Sequence, residues 1–166
     1  MDPKSFKVVK TWAAHSSGTN DMDAQHDFIV TCGYSVRQGR HMLDPLVNVF
    51  DLKQMIPLPP VPFPAGAAHV RMHPRMSTTS IVASQSGQIH VVDLVNPNTS
   101  NVKQANVLGY LSKISIAPSG EALAIVADQC DIHLWGSIAR MRFAELNNPV
   151  EFADTEDIPS LSDWEA

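Results

Sequence analysis

Two cysteines in 166 residues are too few for a disulfide framework. They stand far apart, at Cys32 and Cys130, with no CxxC spacing, which fits two structural thiols in a reduced, intracellular protein. No apolar run approaches the roughly eighteen residues that a membrane-spanning helix requires. The opening decapeptide, MDPKSFKVVK, has charges and no apolar stretch, so no secretory leader is expected. The triplet Asn98-Thr99-Ser100 is then a glycosylation sequon that never meets the machinery. No segment sustains apolar spacing of three and four residues, which excludes helical solenoids. Basic residues are missing after Arg142, while Glu145, Glu151, Asp154, Glu156, Asp157, Asp163 and Glu165 all follow. Taking those seven from the 17 acidic residues leaves 10 against 12 basic, so the net charge of −5 belongs to the tail. Such a tail reads as a solvated segment, and neither half is basic enough to announce nucleic-acid binding.

What is present is a repeat. SIVASQSGQIHVVDL, residues 80–94, reads as two β-branched strands, 81–84 and 89–94, around a tight Ser86-Gly87 turn. The same hairpin occurs at 28–35 with 46–52, and again at 122–129 with 131–137. Aligning Val47, Ile89 and Ile132 gives steps of 42 and 43 residues, a period that marks a repeat architecture. The units are filled out by AHVRMHP (68–74), KISIAP (113–118) and the strand VKQANV. FKVVKTW, residues 6–12, also looks like a strand, and AHSSGTNDMDAQHD, residues 14–27, looks like a polar, turn-rich connection carrying a short central strand. The five prolines at 57, 59, 60, 62 and 64 forbid helix or a central strand. They favour an edge strand plus a link over a polyproline ligand. Four-stranded sheets recurring every 40–45 residues are blades of a β-propeller. The WD-like pair that ends each blade's third strand is degenerate here: Phe50-Asp51, Val92-Asp93 and Trp135-Gly136. The expected fold is therefore all-β, a partial WD-repeat propeller of about three four-stranded blades over residues 1–144, with 145–166 opening an acidic linker.

Constellations that invite a chemical reading do not hold together. Asp21, Asp23, Asp44 and Asp51 tempt one toward a two-metal site. Asp51 repeats as Asp93, however, and Asp21 and Asp23 lie where aspartate commonly bonds its own backbone. His69 and His73 have the spacing of HExxH, but on a strand they stand roughly 13 Å apart and no glutamate follows His69. His90 and His133 are repeat equivalents, with Asn48 in the first copy, which implies a niche where a neighbouring blade satisfies the imidazole. No G-x-S-x-G elbow or Gly-rich phosphate loop occurs. The connection between the first hairpin's strands, residues 36–45, is ten residues long where two to five is usual. It carries Arg37, Arg40 and His41, the candidate partner-contact residues. Arg75 is expected on the opposite face, and two arginines are a small footprint beside the many contacts phosphate binding enlists.

The segments HSSGTNDMD, DFIVTCGYSVRQGR, LDPLVNVFDL, FPAGAAHVRMHPRMSTTSIVASQSGQIHVVD, IAPSGEALA and NPVEFAD together resemble the N-terminal WD-repeat propeller of the catalytic subunit of the poly(A)-nuclease deadenylation complex, in its fungal form. The resemblance runs from about Lys7 to Asp154 and includes loops that a generic WD repeat would not share. It implies a cytoplasmic protein, P-bodies included, that shortens poly(A) tails with a dimeric pseudokinase-like regulatory subunit. That subunit brings it to poly(A)-binding protein, and no membrane is involved. In that family a linker, an inactive ubiquitin-hydrolase-like domain and a DEDD exonuclease holding two divalent metals follow the propeller. Those parts find no match in this sequence, so the chain is expected to be a non-catalytic scaffold portion with no cofactor of its own. The alternatives are a WD-repeat adaptor of another complex, or a chain that itself cleaves poly(A).

Overall fold

The computed structural model describes residues 6–98, 100–128 and 130–136. Among them twelve strands form three antiparallel sheets and no helix occurs. The first sheet contains β1 (Gly18–Gln25), β2 (Phe28–Arg37), β3 (Arg40–Leu43), β4 (Leu46–Asp51) and β5 (Ile56–Pro62), in the order β1-β2-β4-β5 with β3 attached to the far end of β2. The second is β6 (His69–Met72), β7 (Thr79–Ala83), β8 (Gln88–Asp93) and β9 (Ser100–Gln104), in sequence order. The third holds β10 (Leu111–Ile116), β11 (Ala122–Ala127) and β12 (Asp131–Gly136). Each sheet is a meander, as antiparallel neighbours joined by short turns require.

Burial follows the stacking of the sheets. All five residues of β7 are buried, because the second sheet has a neighbour on each face. One hydrophobic cluster joins the first and second sheets through Val30, Val47, Val49, Phe63, Val70, Met72, Val82 and Val92. The other joins the second and third through Ile81, Ile89, Leu111, Ile114 and Ile125. Each such side chain contributes about 1.5–3 kcal/mol when removed from water. Where the stack stops, the pattern inverts. Ile89 is 2% exposed and its repeat equivalent Ile132 is 73% exposed.

Four of the five prolines fall on β5, which pairs only with β4 among the described residues, so the missing N–H groups sit on a sheet edge. The aspartates of the degenerate WD pairs end their strands chemically. Asp51 Oδ1 accepts from the N–H of Lys53 and Gln54, at 2.8 and 3.2 Å, and Asp93 Oδ1 from that of Val95 at 3.0 Å. Both turn the chain toward the outer strand.

Four expectations need correction. Residues 6–12 form no strand: Phe6, Val8 and Val9 are 76, 71 and 63% exposed, and among the described residues no sheet edge pairs with them. Residues 36–45 are not a ten-residue loop. β2 runs on to Arg37, turns through Gln38 and Gly39 at φ 52° and 74°, and returns as β3 with Arg37 opposite Arg40, the two-residue hairpin that two positive φ angles produce. The short strand in the turn-rich connection is the eight-residue β1. The blades are also unequal, since β3 makes the first sheet five-stranded and the third shows three strands among the described residues. The boundary at 144/145 lies outside the described residues.

Candidate functional site

The first sheet carries the projecting element. Beyond Tyr34 and Leu43, β2 and β3 pair only with each other, so residues 35–42 form an arm clear of the blade. Arg37, Arg40 and His41 are all exposed on it. The register places Arg37 directly opposite Arg40, and like charges in that position destabilise a hairpin. Among the described residues no carboxylate pairs with either arginine. Val36 and Met42, 50 and 51% exposed, extend the arm surface with hydrocarbon. The base of the arm is fixed by Asp44 N–H donating to Gly33 O at 2.8 Å, Ala67 N–H to Asp44 O at 3.3 Å and Phe63 N–H to Pro45 O at 2.6 Å. The three predicted contact residues are therefore brought together on a held hairpin. Arg75 lies at the other end of the sheet, near the β1–β2 turn, whose His26 Nε2 donates to His73 O at 3.2 Å.

A hydrogen-bonded triad lies beneath the arm and was not legible in the sequence. His15 Nδ1 donates to Asp44 Oδ2 at 3.2 Å, and Thr31 Oγ1 donates to His15 Nε2 at 3.0 Å. The connectivity matches that of a nucleophile, a base and an orienting acid. Burial decides against chemistry. The His15 side chain is 0% exposed and Thr31 4%, so no substrate reaches the hydroxyl. The triad instead pins the incoming chain to β2 and to the base of the arm. Trp12 supports the same junction by stacking on Phe50 at 4.9 Å, and Asn48 Nδ2 donates to Ala14 O.

The aspartates suspected of binding metal sit in the seam between blades. Asn20 Nδ2 donates to Ala68 O at 2.8 Å. Asp21 Oδ2 accepts Val70 N–H at 3.2 Å, and Asp23 Oδ2 accepts Met72 N–H at 2.7 Å. Alternate side chains of β1 thus meet alternate amides of β6, the period-two match of two strands side by side. Their Oδ1 atoms bond the backbone, accepting from Met22 and Ala24 N–H, each at 3.0 Å. Asp21 Oδ2 also takes Arg71 Nη1 at 2.7 Å, with His69 Nδ1 at 4.0 Å. Asp44 and Asp51 are committed elsewhere, as described above. Among the described residues no three His, Cys, Asp or Glu side chains gather around one point.

Histidines continue the seam outward. His69 Nε2 donates to Leu111 O at 3.0 Å, and His73 Nε2 donates to Gly120 O at 3.1 Å. His73 Nδ1 accepts from Arg75 and Met76 N–H, at 3.1 and 3.0 Å, which fixes its tautomer. The two imidazoles reach different points of the third sheet and do not converge. His90 departs from the expected satisfied niche. Its Nε2 is buried without a partner, and the ring meets Phe63 edge-on at 4.6 Å. Burial lowers its pKa, because the charged form would sit against hydrocarbon. Cys32 is 0% exposed. Burial first, and then the Asp21 charge, push its thiol up to about 12, so it is no nucleophile. The structure thus offers surfaces and interblade bonds.

A family model described as PAN2 N-terminal matches residues 1–136. The chain belongs to that family. It is 56% identical over 167 residues to the catalytic subunit PAN2 of the PAN2-PAN3 deadenylation complex of Chaetomium globosum, covering 99% of this chain and 15% of that protein. The protein of the same name in Coccidioides immitis is 58% identical over 160 residues, covering 96% and 13%. The chain therefore spans about a seventh of the length of these relatives. Among solved structures, the Neurospora crassa Pan2 WD40 domain matches with a TM-score of 0.76 and 45% identity, over 83% of this chain and 44% of that one. The β-propeller domain of Myceliophthora thermophila Cps50 (Swd1), at 14% identity and a TM-score of 0.64, shares the fold alone. The sheets described above are blades of a WD40 propeller.

Proposed function

We propose that this chain is the non-catalytic WD-repeat scaffold portion of the poly(A)-specific 3′-exoribonuclease subunit of a cytoplasmic deadenylation complex. Membership of the PAN2 N-terminal family over residues 1–136 carries the reading. The relatives' name, catalytic subunit of a PAN2-PAN3 deadenylation complex, supplies its context: poly(A) tail shortening in mRNA decay, in the cytoplasm and in P-bodies. Catalysis belongs to the longer protein. The two divalent metals of a DEDD nuclease would be held there, and this portion uses no cofactor. Its work is contact with the pseudokinase-like regulatory subunit, and through it with poly(A) ribonucleoprotein. Arg37, Arg40 and His41 on the β2–β3 arm are the contact residues. What supports them is an exposed, held hairpin whose opposed arginines carry a cost that a counter-charge on a partner would remove.

Two measurements test the reading. Purified regulatory subunit should be retained by the chain and lost when Arg37→Glu and Arg40→Glu are combined; equal recovery by wild type and variant rejects the arm as the contact. Oligo(A) incubated with the pure chain and Mg²⁺ should stay intact, and metal-dependent shortening would show that the nuclease lies within these residues after all.

A further inference from the structure

A cavity of about 290 Å³ lies between the first and second sheets, where outer strand β5 faces the link that follows β8. Both sheets carry their own outer strands, β5 and β9. Phe28 and Leu58, packed on the core cluster shared by the two sheets, and Leu94, 3% exposed, line the inner part. Pro59 and Val95 line it too and are exposed, at the mouth. The walls are held by backbone bonds: Leu94 N–H donates to Thr78 O at 2.7 Å, and Leu52 N–H to Asp27 O at 2.8 Å. An apolar cavity of about 150 Å³ already takes a benzene ring, whereas small-molecule sites start at roughly 300 Å³. The room suits one aromatic side chain.

Charge says what kind of chain brings that ring. Asp51 lines the cavity, and Asp93 directly precedes Leu94. Each spends Oδ1 on backbone amides, Asp51 on those of Lys53 and Gln54 and Asp93 on that of Val95. Among the described residues no cation pairs with the second oxygen of either. Lys53 is engaged by Asp27 at 3.3 Å, and Arg75 follows the inner strand β6. The acidic segment after Arg142 is repelled by such a mouth, since it holds seven carboxylates and no Lys or Arg. Strand addition is disfavoured as well, because β5 has proline at 57, 59, 60 and 62 and offers few amide donors to a further strand. The occupant therefore enters by a side chain. We propose that the crevice between β5 and the link after β8 is a docking site for a partner peptide, taking one aromatic side chain flanked by lysine or arginine. The ring fills the space over Phe28, Leu58 and Leu94, and the flanking cations meet Asp51 and Asp93. This surface is separate from the β2–β3 arm.

Amide chemical shifts of the full chain, followed while blocked pentapeptides are added, test the site. The probes are GKFKG, GAFAG, GEFEG and GKAKG. GKFKG should bind and move the amides of Leu58 and Val95, GAFAG should bind more weakly, and GEFEG more weakly still. GKAKG should lose about tenfold or more, the loss expected for an unburied aromatic ring. Val95 is 68% exposed, so Val95→Lys keeps the fold while placing a like charge at the mouth, and it should abolish binding of GKFKG. Asp51→Asn retains the Oδ1 acceptor that turns the chain. It should weaken GKFKG about two- to fivefold, as a partly screened ion pair would, and leave GAFAG unchanged. Absence of GKFKG binding overturns the proposal. So do equal affinities for GKFKG and GEFEG, and unaltered binding by Val95→Lys. The Arg37→Glu, Arg40→Glu double variant should bind GKFKG as wild type does, which separates this site from the arm; loss of binding there would also overturn it.

Discussion

The seam between β1 and β6 makes a quantitative claim about Asp23. Its Oδ2 is the acceptor for Met72 N–H at 2.7 Å, and Met72 is 2% exposed, so water does not replace a lost carboxylate. Asp23→Ala leaves a buried donor unpaired, which costs about 1–3 kcal/mol. The second bond, Oδ1 to Ala24 N–H, is exposed, and its loss adds little. Asp23→Asn keeps an oxygen in place, and the expected cost falls below about 1 kcal/mol. In a chain of this size each kcal/mol moves the thermal midpoint by about 2–4 °C. The assay is thermal and urea unfolding of wild type and both variants, followed by circular dichroism. The reasoning is refuted if Asp23→Ala is no more destabilising than Asp23→Asn, because a residue that only spaces a turn would not distinguish the two. Asp21→Ala should cost a similar amount through Val70 N–H. The half-screened Arg71 pair adds less than about 1 kcal/mol, and the double variant should not be the sum of the singles because the two sites share a seam.

Gly120 stands at φ +76°, and an added Cβ would fall within the His73 imidazole. Gly120→Ala should therefore cost about 2–4 kcal/mol, from the left-handed backbone and overpacking together, read as a lowered urea midpoint. Of the two thiols, exposed Cys130 should react with a thiol reagent in the native state and buried Cys32 only on unfolding; prompt labelling of both would contradict the packing of β2. The Cys32 thiol titrates at 9.0 ordinarily and at about 12 when folded. Its contribution to stability is full below pH 9 and is lost as the pH rises from 9 toward 12, because only the unfolded chain then gives up the proton. Cys32→Ala should flatten that part of the stability–pH curve, and an unchanged slope would count against the assignment.

How far the sequence could be read depended on whether each residue's role was local. The three third strands were legible because Val47, Ile89 and Ile132 sit in apolar runs at a nearly fixed step, and β-branched runs fit a half-buried pleat. The proline edge of β5 was legible because a missing N–H excludes every other place in a sheet. The full length of β1, expected only as a short strand, was hidden by its composition. GTNDMDAQ has the residues of a turn, and it is a strand because its carboxylates find the amides of β6, 49 residues away. The arm was mistaken for a loop because Gln38-Gly39 is not among the dipeptides that announce a two-residue turn.

The candidate surface was legible only in part, and the reason is the same. Arg37, Arg40 and His41 could be assigned to one connection from their order along the chain, and they do lie on one element. That the two arginines face each other across the hairpin follows only from the register. His15, Thr31 and Asp44 are separated by 16 and 29 residues and show no spacing that any motif would flag. Composition alone could not have told whether they form a reactive triad or a clasp, since the atoms and distances suit both. Accessibility decides it: a hydroxyl beneath a fully buried imidazole meets no substrate. The best-formed triad among the described residues is thus a clasp that holds the incoming chain to β2 and to the base of the arm.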